Sequence, residues 1–431
     1  MNPIQQLKNQ QSSYPNKLFS QGESPDKLLQ EKNLELEKIE ELTEQNQSFE
    51  LMSFGIKLDG KFPKEIAILE VESPGNNHIV IRCHNQLLKL HEQLKTDPIE
   101  APEISFVKMM EKTIGTMRMF SQKNSQAKKL RGWLVKLQER LEQNYQNNLS
   151  YLIINDRTDF EIPWEMLELK KNNYLGANIV TVRWQDITNP EDLDDVNSLI
   201  NLEVAEKKCS GKMVAYLNTK DLPSVKEEKK FLEKFNPTIY DNVRDFFNDL
   251  DAVNSEVSLV FIASHGFFGE NLSQSTLGEE DKRQQISLTQ LYEYDFDFLA
   301  NGSSIVFMNT CHSGRLQQDD TLKIIDPNPQ TGQYYPAGFS TFFLEKGAKG
   351  VIGTLCKVAD KYAAKISHKF FEEHQKYPHL SVATILKNIR QKAANEYQCQ
   401  KGNDENRYLF LFTFMYIYYG NPLTKLELIK K

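Results

Sequence analysis

No stretch of this chain is apolar over the roughly 20 residues that a membrane-spanning helix needs. The longest apolar run, YLFLFTFMYIYYG from Tyr408 to Gly420, falls well short, and its aromatics predict a long buried strand instead. The first residues, MNPIQQLKNQQSSYPNKLF, lack the apolar core of an export signal. Neither membrane insertion nor secretion is expected, and the cytoplasm is the expected compartment. An excess of basic charge is missing too. There are 52 Lys and Arg against 59 Asp and Glu, a net charge of −7. A general nucleic-acid binder presents a basic face, so nucleic acid is not an expected direct ligand. Cysteine is sparse: Cys83, Cys209, Cys311, Cys356 and Cys399 are odd in number and scattered. No CxxC or HxxxH spacing occurs, so neither a disulfide framework nor a zinc site is expected, and a reduced thiol is chemically available. No glycine-rich phosphate loop follows a strand, which argues against a nucleotide-binding module. No cofactor is expected.

What the sequence does have is two short passages that end alike. VSLVFIASHGFFGE (Val257 to Glu270) and SSIVFMNTCHSGRL (Ser303 to Leu316) are each an unbroken apolar run stopping at a polar tip. Such runs predict strands buried on both faces, the habit of a parallel sheet. Chemistry in open α/β sheets gathers at the carboxyl ends of those strands. The first tip carries His265 and Gly266, the second Cys311, His312, Ser313 and Gly314. On neighbouring strands roughly 5 Å apart, His265 and Cys311 would share a substrate. A free thiol has a pKa of about 8.5 and needs a partner to act as a nucleophile. His265 as base and Cys311 as nucleophile form the expected catalytic dyad of a cysteine endopeptidase. Cys356 ends another apolar run and reads as core, and Ser264 and Ser313 have no triad context.

The rest of the chain falls into three segments. Residues 1–48 are rich in Gln, Asn, Glu, Lys and Ser. Their first part reads as disordered and KLLQEKNLELEKIEELTEQ as a helix, either solvated or docking on a partner or over the site. Residues 49–195 begin with strand-like SFGIKL, EIAILEVES and HIVIRCH. Helical periodicity follows in NQLLKLHEQL, in SFVKMMEKTIGTMRMF with its core-filling methionines Met109, Met110, Met117 and Met119, and in AKKLRGWLVKLQERLEQNY. After the strand LSYLIIN, Pro163, Trp164 and Glu165 predict a helix start. The acidic, turn-rich DITNPEDLDDVNS (Asp186 to Ser198) marks a boundary. Residues 196–431 then alternate strands and helices, which implies parallel strands with right-handed crossovers. Two loops in this part, FFGENLSQSTLGEEDKRQQ and LQQDDTLKIIDPNPQTGQYYPA, lack periodicity and flank the two tips; long loops of this kind are usually functional or mobile.

The two tips resemble the caspase-like peptidase clan, in which His and Cys stand about 50 residues apart; here they are 46 apart. The flanking blocks IPWEML, LGANIVTVRW, GAKGVIGTLCKVAD and YYGNP resemble the CHAT family, the separase-related caspase-like domains of prokaryotes. The resemblance runs from about Phe49 to Leu423. It implies an α/β fold, a caspase-like three-layer sandwich with a mostly parallel central sheet, in which a pseudo-caspase half precedes an active half. It also implies an oxyanion hole made by the backbone N–H groups of Gly266 and Cys311; Gly266 suits a place where substrate comes close to the backbone. At Asn309, two residues before the nucleophile, metacaspases that cut after Arg or Lys carry Asp, so strict basic specificity does not follow. Asp360 resembles the acid on the separase substrate wall, and an N-cap for its own helix is the rival role. The implied partners are a protein substrate and a separate protein activator or sensor, in bacterial defence or programmed death. The loops near Leu277 and Asp326 would stay misordered until activation. A caspase-like scaffold with a silent dyad is the alternative reading.

Overall fold

The structure is a computed structural model that describes residues 65–85, 94–104, 110–145, 149–184, 206–318, 336–400 and 402–428. The extension 1–48, the strand-like SFGIKL, most of NQLLKLHEQL, Met109, the boundary segment 186–198 and Asp326 lie outside the described residues. Everything described belongs to one unit, Leu51–Lys431.

One large sheet organises that unit. Before the boundary segment its strands are β1 (Ile66–Gly75), β2 (His78–His84), β3 (Leu94–Lys95), β4 (Ile99–Glu100), β5 (Tyr151–Asp156) and β8 (Val180–Trp184). The small hairpin β6 (Glu168–Lys170) and β7 (Asn173–Tyr174) stands apart. After the boundary come β9 (Lys208–Leu217), β10 (Thr238–Tyr240), β11 (Val257–Phe267), β12 (Thr276–Gly278), β13 (Gln285–Ser287) and β14 (Ile305–Thr310). Its last strands are β17 (Gly350–Thr354), β18 (Tyr416–Gly420) and β19 (Lys425–Leu428), while β15 (Gln317–Gln318) and β16 (Pro336–Ala337) pair only with each other. The main order is β10-β9-β11-β14-β17-β18-β8-β5-β1-β2-β3. Strands from residues 206–428 thus fill one side and strands from residues 65–184 the other, meeting where β18 pairs with β8. Pairing is parallel from β10 to β17 and from β18 to β1, whereas β18 runs antiparallel to β17 and β2 to β1.

Every residue of β14, β17 and β18 is buried, so these strands are covered on both faces. The cover comes from helices with apolar stripes, and the expected layered, mostly parallel α/β fold is the one observed. The helices are α1 (Met110–Lys123), α2 (Ser125–Tyr145), α3 (Leu175–Asn178), α4 (Val225–Leu232), α5 (Val243–Asp251), α6 (Leu288–Leu291), α7 (Asp297–Asn301), α8 (Phe339–Glu345), α9 (Asp360–Lys376), α10 (Val382–Cys399) and α11 (Asp404–Met415). In α10 the stripe Val382, Ile385, Leu386 and Ile389 is buried as its periodicity predicts. In α1 Met117 is buried but Met119 is 56% exposed, so the core-filling reading holds for only one of the two.

Three local expectations are corrected. The run Tyr408 to Gly420 is not one strand: α11 continues through Met415 and β18 starts at Tyr416. Asn403 starts the helix by accepting from the N–H groups of Glu405 and Asn406, and Leu409 to Met415 are all buried. A helix apolar all round has no periodic stripe to distinguish it from a strand. Pro163 opens no helix but a single 3-10 turn, Trp164–Met166. There the Trp164 indole donates to Asp156 Oδ2 (2.7 Å), and Glu165 pairs with Arg183 (2.8 Å) in the interior. The passage after Phe267 is no structureless loop either. β12 pairs with the end of β11 and with β13, and Leu277 is fully buried.

Candidate active site

The parallel register of β11 and β14 sets Ala263 beside Asn309 and Ser264 beside Thr310. His265 and Cys311 therefore follow at the next step, at the carboxyl ends of adjacent strands. A Cβ on Gly266 would overlap the carbonyl oxygen of Cys311 and the Thr310 methyl group. Glycine is required here by the contact between the two strand ends, a structural demand beyond any close approach of substrate.

The turn that carries Cys311 is tied at almost every residue. The N–H of His312 donates to Cys356 O (3.2 Å), that of Gly314 to Thr354 O (2.9 Å) and that of Arg315 to His312 O (3.1 Å). Ser313 Oγ donates to Thr310 O (2.8 Å) and accepts from the Thr354 N–H (3.1 Å), a structural role. His312 adopts φ 60°, a left-handed conformation uncommon for a non-glycine residue and characteristic of strained functional turns. Gly314 packs on Ile417 and Gly353, and its carbonyl accepts from Tyr419 Oη (3.1 Å). The YYG and GVIGT blocks thus cradle this turn, and Trp184 of TVRW anchors the far end of β18 by donating to Gly420 O (2.9 Å).

The thiol faces Val358. Cys311 Sγ lies 3.5 Å from Val358 O, and the Val358 N–H donates to it at 3.4 Å. Burial pushes the thiol above its ordinary range, opposed by the Val358 amide, the Lys357 charge and the residue's own N–H. No hydrogen bond joins it to His265, whose Nε2 is buried without a hydrogen-bond partner. The acid nearest that nitrogen is Glu280, 3.8 Å away and 75% exposed. Glu280 follows β12, in the passage whose polarity hid any structural role. His312 is pushed down to about 4 by burial, with Arg315 and Lys357 adding to it, so it is neutral at pH 7 and no second base. Cys356 is fully buried, its thiol pushed far up by burial, as a core residue should be.

A cavity of about 220 Å³ opens beside the thiol. His265, Cys311, Asn309 and Asp360 all line it, so the structure brings together every candidate side chain named from the sequence. Asn309 is buried with both ends engaged: Nδ2 donates to Glu228 Oε1 (2.6 Å), and Oδ1 accepts from the Tyr416 hydroxyl. Asp360 does not cap its own helix, whose N-cap is Ala359. Its Oδ2 instead accepts from the Ser224 N–H (2.8 Å), just ahead of α4, and fixes α4 against α9. Glu228 was missed among the charges of VKEEKK. Its signal is the stripe Val225, Glu228, Phe231 and Leu232, which puts one acid on the buried face of the helix.

Arg315 was also missed. It forms an ion pair with Glu161 and lies 4.0 Å over the Phe268 ring. One side chain thereby joins the Cys311 turn, the passage after His265 and the segment after β5. Burial outweighs the Arg315 charge and lifts Glu161 to about 7. Among the described residues there is no group of three His, Cys, Asp or Glu able to hold a metal ion, and no helix is long and apolar enough to cross a membrane.

Comparison with known proteins adds the family. No curated protein matches the chain. Among solved structures, separase in the Saccharomyces cerevisiae separase-securin complex is similar over 84% of this chain, at 13% identity and a TM-score of 0.45. The present chain covers only 30% of that separase chain. A chain described as a protease is similar over 70% of this chain and 69% of its own, at 12% identity and a TM-score of 0.45. The complex of Porphyromonas gingivalis RgpB pro- and mature domains is similar over 69% of this chain and 70% of its own, at 9% identity and a TM-score of 0.39. The family model of the CHAT domain matches residues 124–419, well over half the chain, and the protein belongs to the CHAT domain family.

Proposed function

We propose that the protein is a cysteine endopeptidase acting through His265 and Cys311. The observation that carries the reading is the contact of Gly266 with the Cys311 carbonyl, which keeps the two strand ends together beside a cavity large enough for a side chain. In the reaction, His265 takes the Cys311 proton and the thiolate attacks a peptide carbonyl. The N–H groups of Gly266 and Cys311 receive the oxyanion. His265 then protonates the leaving amine, and water hydrolyses the thioester. The segments 49–195 and 196–431 act as a supporting and a catalytic half of one domain.

In this reading the enzyme is latent. Support comes from the thiol, which is bonded to the Val358 backbone, held protonated by burial, and not bonded to the base. Releasing Sγ from Val358 and bringing His265 to it is the activating step. A separate protein supplies it, in a bacterial defence or cell-death setting within the cytoplasm, and the substrate is a protein. The same bonding also favours the second reading, a scaffold whose dyad is silent.

The two separate by N-terminal proteomics. Wild type and Cys311→Ala are each expressed with the genes that flank this one, and new protein N-termini are compared. Termini present with wild type and absent with the mutant are the expected result. Identical sets would put the scaffold first.

A further inference from the structure

We infer that Glu228 selects the substrate side chain at P1, the residue before the cut, and that the cavity beside Cys311 receives a lysine or arginine. The inference rests on the peptidase reading and deepens it. Part of the cavity lining is apolar, with Leu222, Val225 and Val358, and suits a methylene stem; Lys357 lines the cavity as well and is paired with neither of its acids. Two carboxyl groups line it as well, Glu228 and Asp360. Each has one oxygen engaged. Glu228 Oε1 accepts from both Asn309 Nδ2 and the Ser367 hydroxyl, and Asp360 Oδ2 accepts from the Ser224 N–H. Among the described residues no donor reaches Glu228 Oε2 or Asp360 Oδ1, and no Lys or Arg is paired with either acid.

Most other buried acids among the described residues are compensated: Glu165 by Arg183, Glu373 by Lys392 and Glu279 by Lys220. Glu228 is as buried as these and has only neutral donors. An ionised carboxylate in such a place is costly unless a cation reaches it. A cation arriving from the cavity would meet that need, and a guanidinium or ammonium on an aliphatic stem has both the reach and the charge. The Tyr416 hydroxyl fixes Asn309, and Asn309 fixes Glu228, so Asn309 is a positioning residue rather than a direct contact. Burial lifts Glu228 to about 7, with Asp360 adding to the rise and Ser367 and Asn309 opposing it. Ionisation through that range should therefore favour a basic side chain as pH increases.

The test uses the purified full chain and Glu228→Gln, which keeps the side-chain volume and an acceptor for Asn309 and Ser367. Agmatine, a small guanidinium compound, is added during iodoacetamide alkylation of Cys311, followed by mass spectrometry. This arm needs no turnover. Agmatine should slow alkylation of the wild type several-fold, more at pH 8 than at pH 6, and leave Glu228→Gln unprotected. In parallel, the residue preceding each Cys311-dependent new N-terminus is read from the proteomic comparison. Lys or Arg should predominate with wild type, and the ratio of basic to neutral P1 should fall about a hundredfold in Glu228→Gln, as expected for losing a buried charge partner. Equal protection of both proteins, no protection of either, or neutral P1 residues in Cys311-dependent termini would each overturn the inference while leaving the peptidase reading intact. Failure of that reading looks different: no terminus depends on Cys311 at all, whatever agmatine does.

Discussion

The two strand ends that meet at the site are held very differently. After β14, the Cys311 turn is fixed from three sides, by Thr354 of β17 and Cys356 just beyond it, by Tyr419 of β18 and by its own Ser313. At the end of β11, the His265 ring has no hydrogen bond at Nε2, a neighbour, Phe267, that is 41% exposed, and an acid that is mostly in solvent. The proposed nucleophile is therefore pre-placed and the proposed base is not. A device that switches such a site on has little to gain at the rigid end. It acts by seating His265, or by freeing the sulfur from Val358.

Breaking the pair outright should matter most. Cys311→Ala should abolish cleavage, and His265→Ala should lower the single-turnover rate by about 10³-fold or more, measured on the substrate named by proteomics. Equal residual rates in both variants would mean the two residues act as one unit. Next comes the contact between the ends. Gly266→Ala forces a methyl group against the Cys311 carbonyl, and overpacking of this kind costs about 1–3 kcal/mol. Urea unfolding should show that loss. An unchanged midpoint would mean that the two ends part readily and that their contact does not hold the site together.

The third effect concerns the link between the rigid end and the preceding half of the chain. Arg315→Ala leaves the largely buried Glu161 carboxyl without its donor, a loss of about 1–3 kcal/mol. Glu161 also makes stability pH-dependent. Its carboxyl keeps its proton up to about 7 in the folded state and loses it near 4.5 when unfolded. Between those values the folded state binds more protons, so stability falls as pH rises, and Glu228 contributes in the same direction. Glu161→Gln should flatten part of that slope in thermal melts from pH 5 to 8. The mildest change is expected at the loose end. Glu280→Gln should change cleavage by no more than about threefold, because an exposed charge 3.8 Å from the ring is screened. A larger loss would promote Glu280 to an orienting partner of His265.

Much of this was legible in the sequence, for identifiable reasons. The tips at His265 and Cys311 were readable because unbroken runs of β-branched and aromatic residues favour strands buried on both faces. Asn309 and Asp360 were singled out by the family resemblance, but their bonds were not, because both reach residues far along the chain: Asn309 reaches Glu228 and Asp360 reaches Ser224. Glu228 is one of several charges in VKEEKK. Its burial is imposed by α9 packing against α4, a tertiary fact without a local signature. The same holds for α11, where all-round burial erased the periodicity that separates helix from strand, and for the strand at Leu277, which exists because β11 offers it an edge.

Cys311 is proposed to be a competent nucleophile kept idle by its bond to Val358 and by separation from His265. The decisive quantity is the rate of Cys311 alkylation by iodoacetamide, read by mass spectrometry against the exposed Cys399, alone and after co-expression with the products of the flanking genes. Cys311 should react more slowly than Cys399 at rest and faster than it in the co-expressed state, with the gain lost in His265→Ala. A Cys311 equally slow in both states, in cells where Cys311-dependent N-termini accumulate, or a gain indifferent to His265, would show that the thiol is not idled in this way.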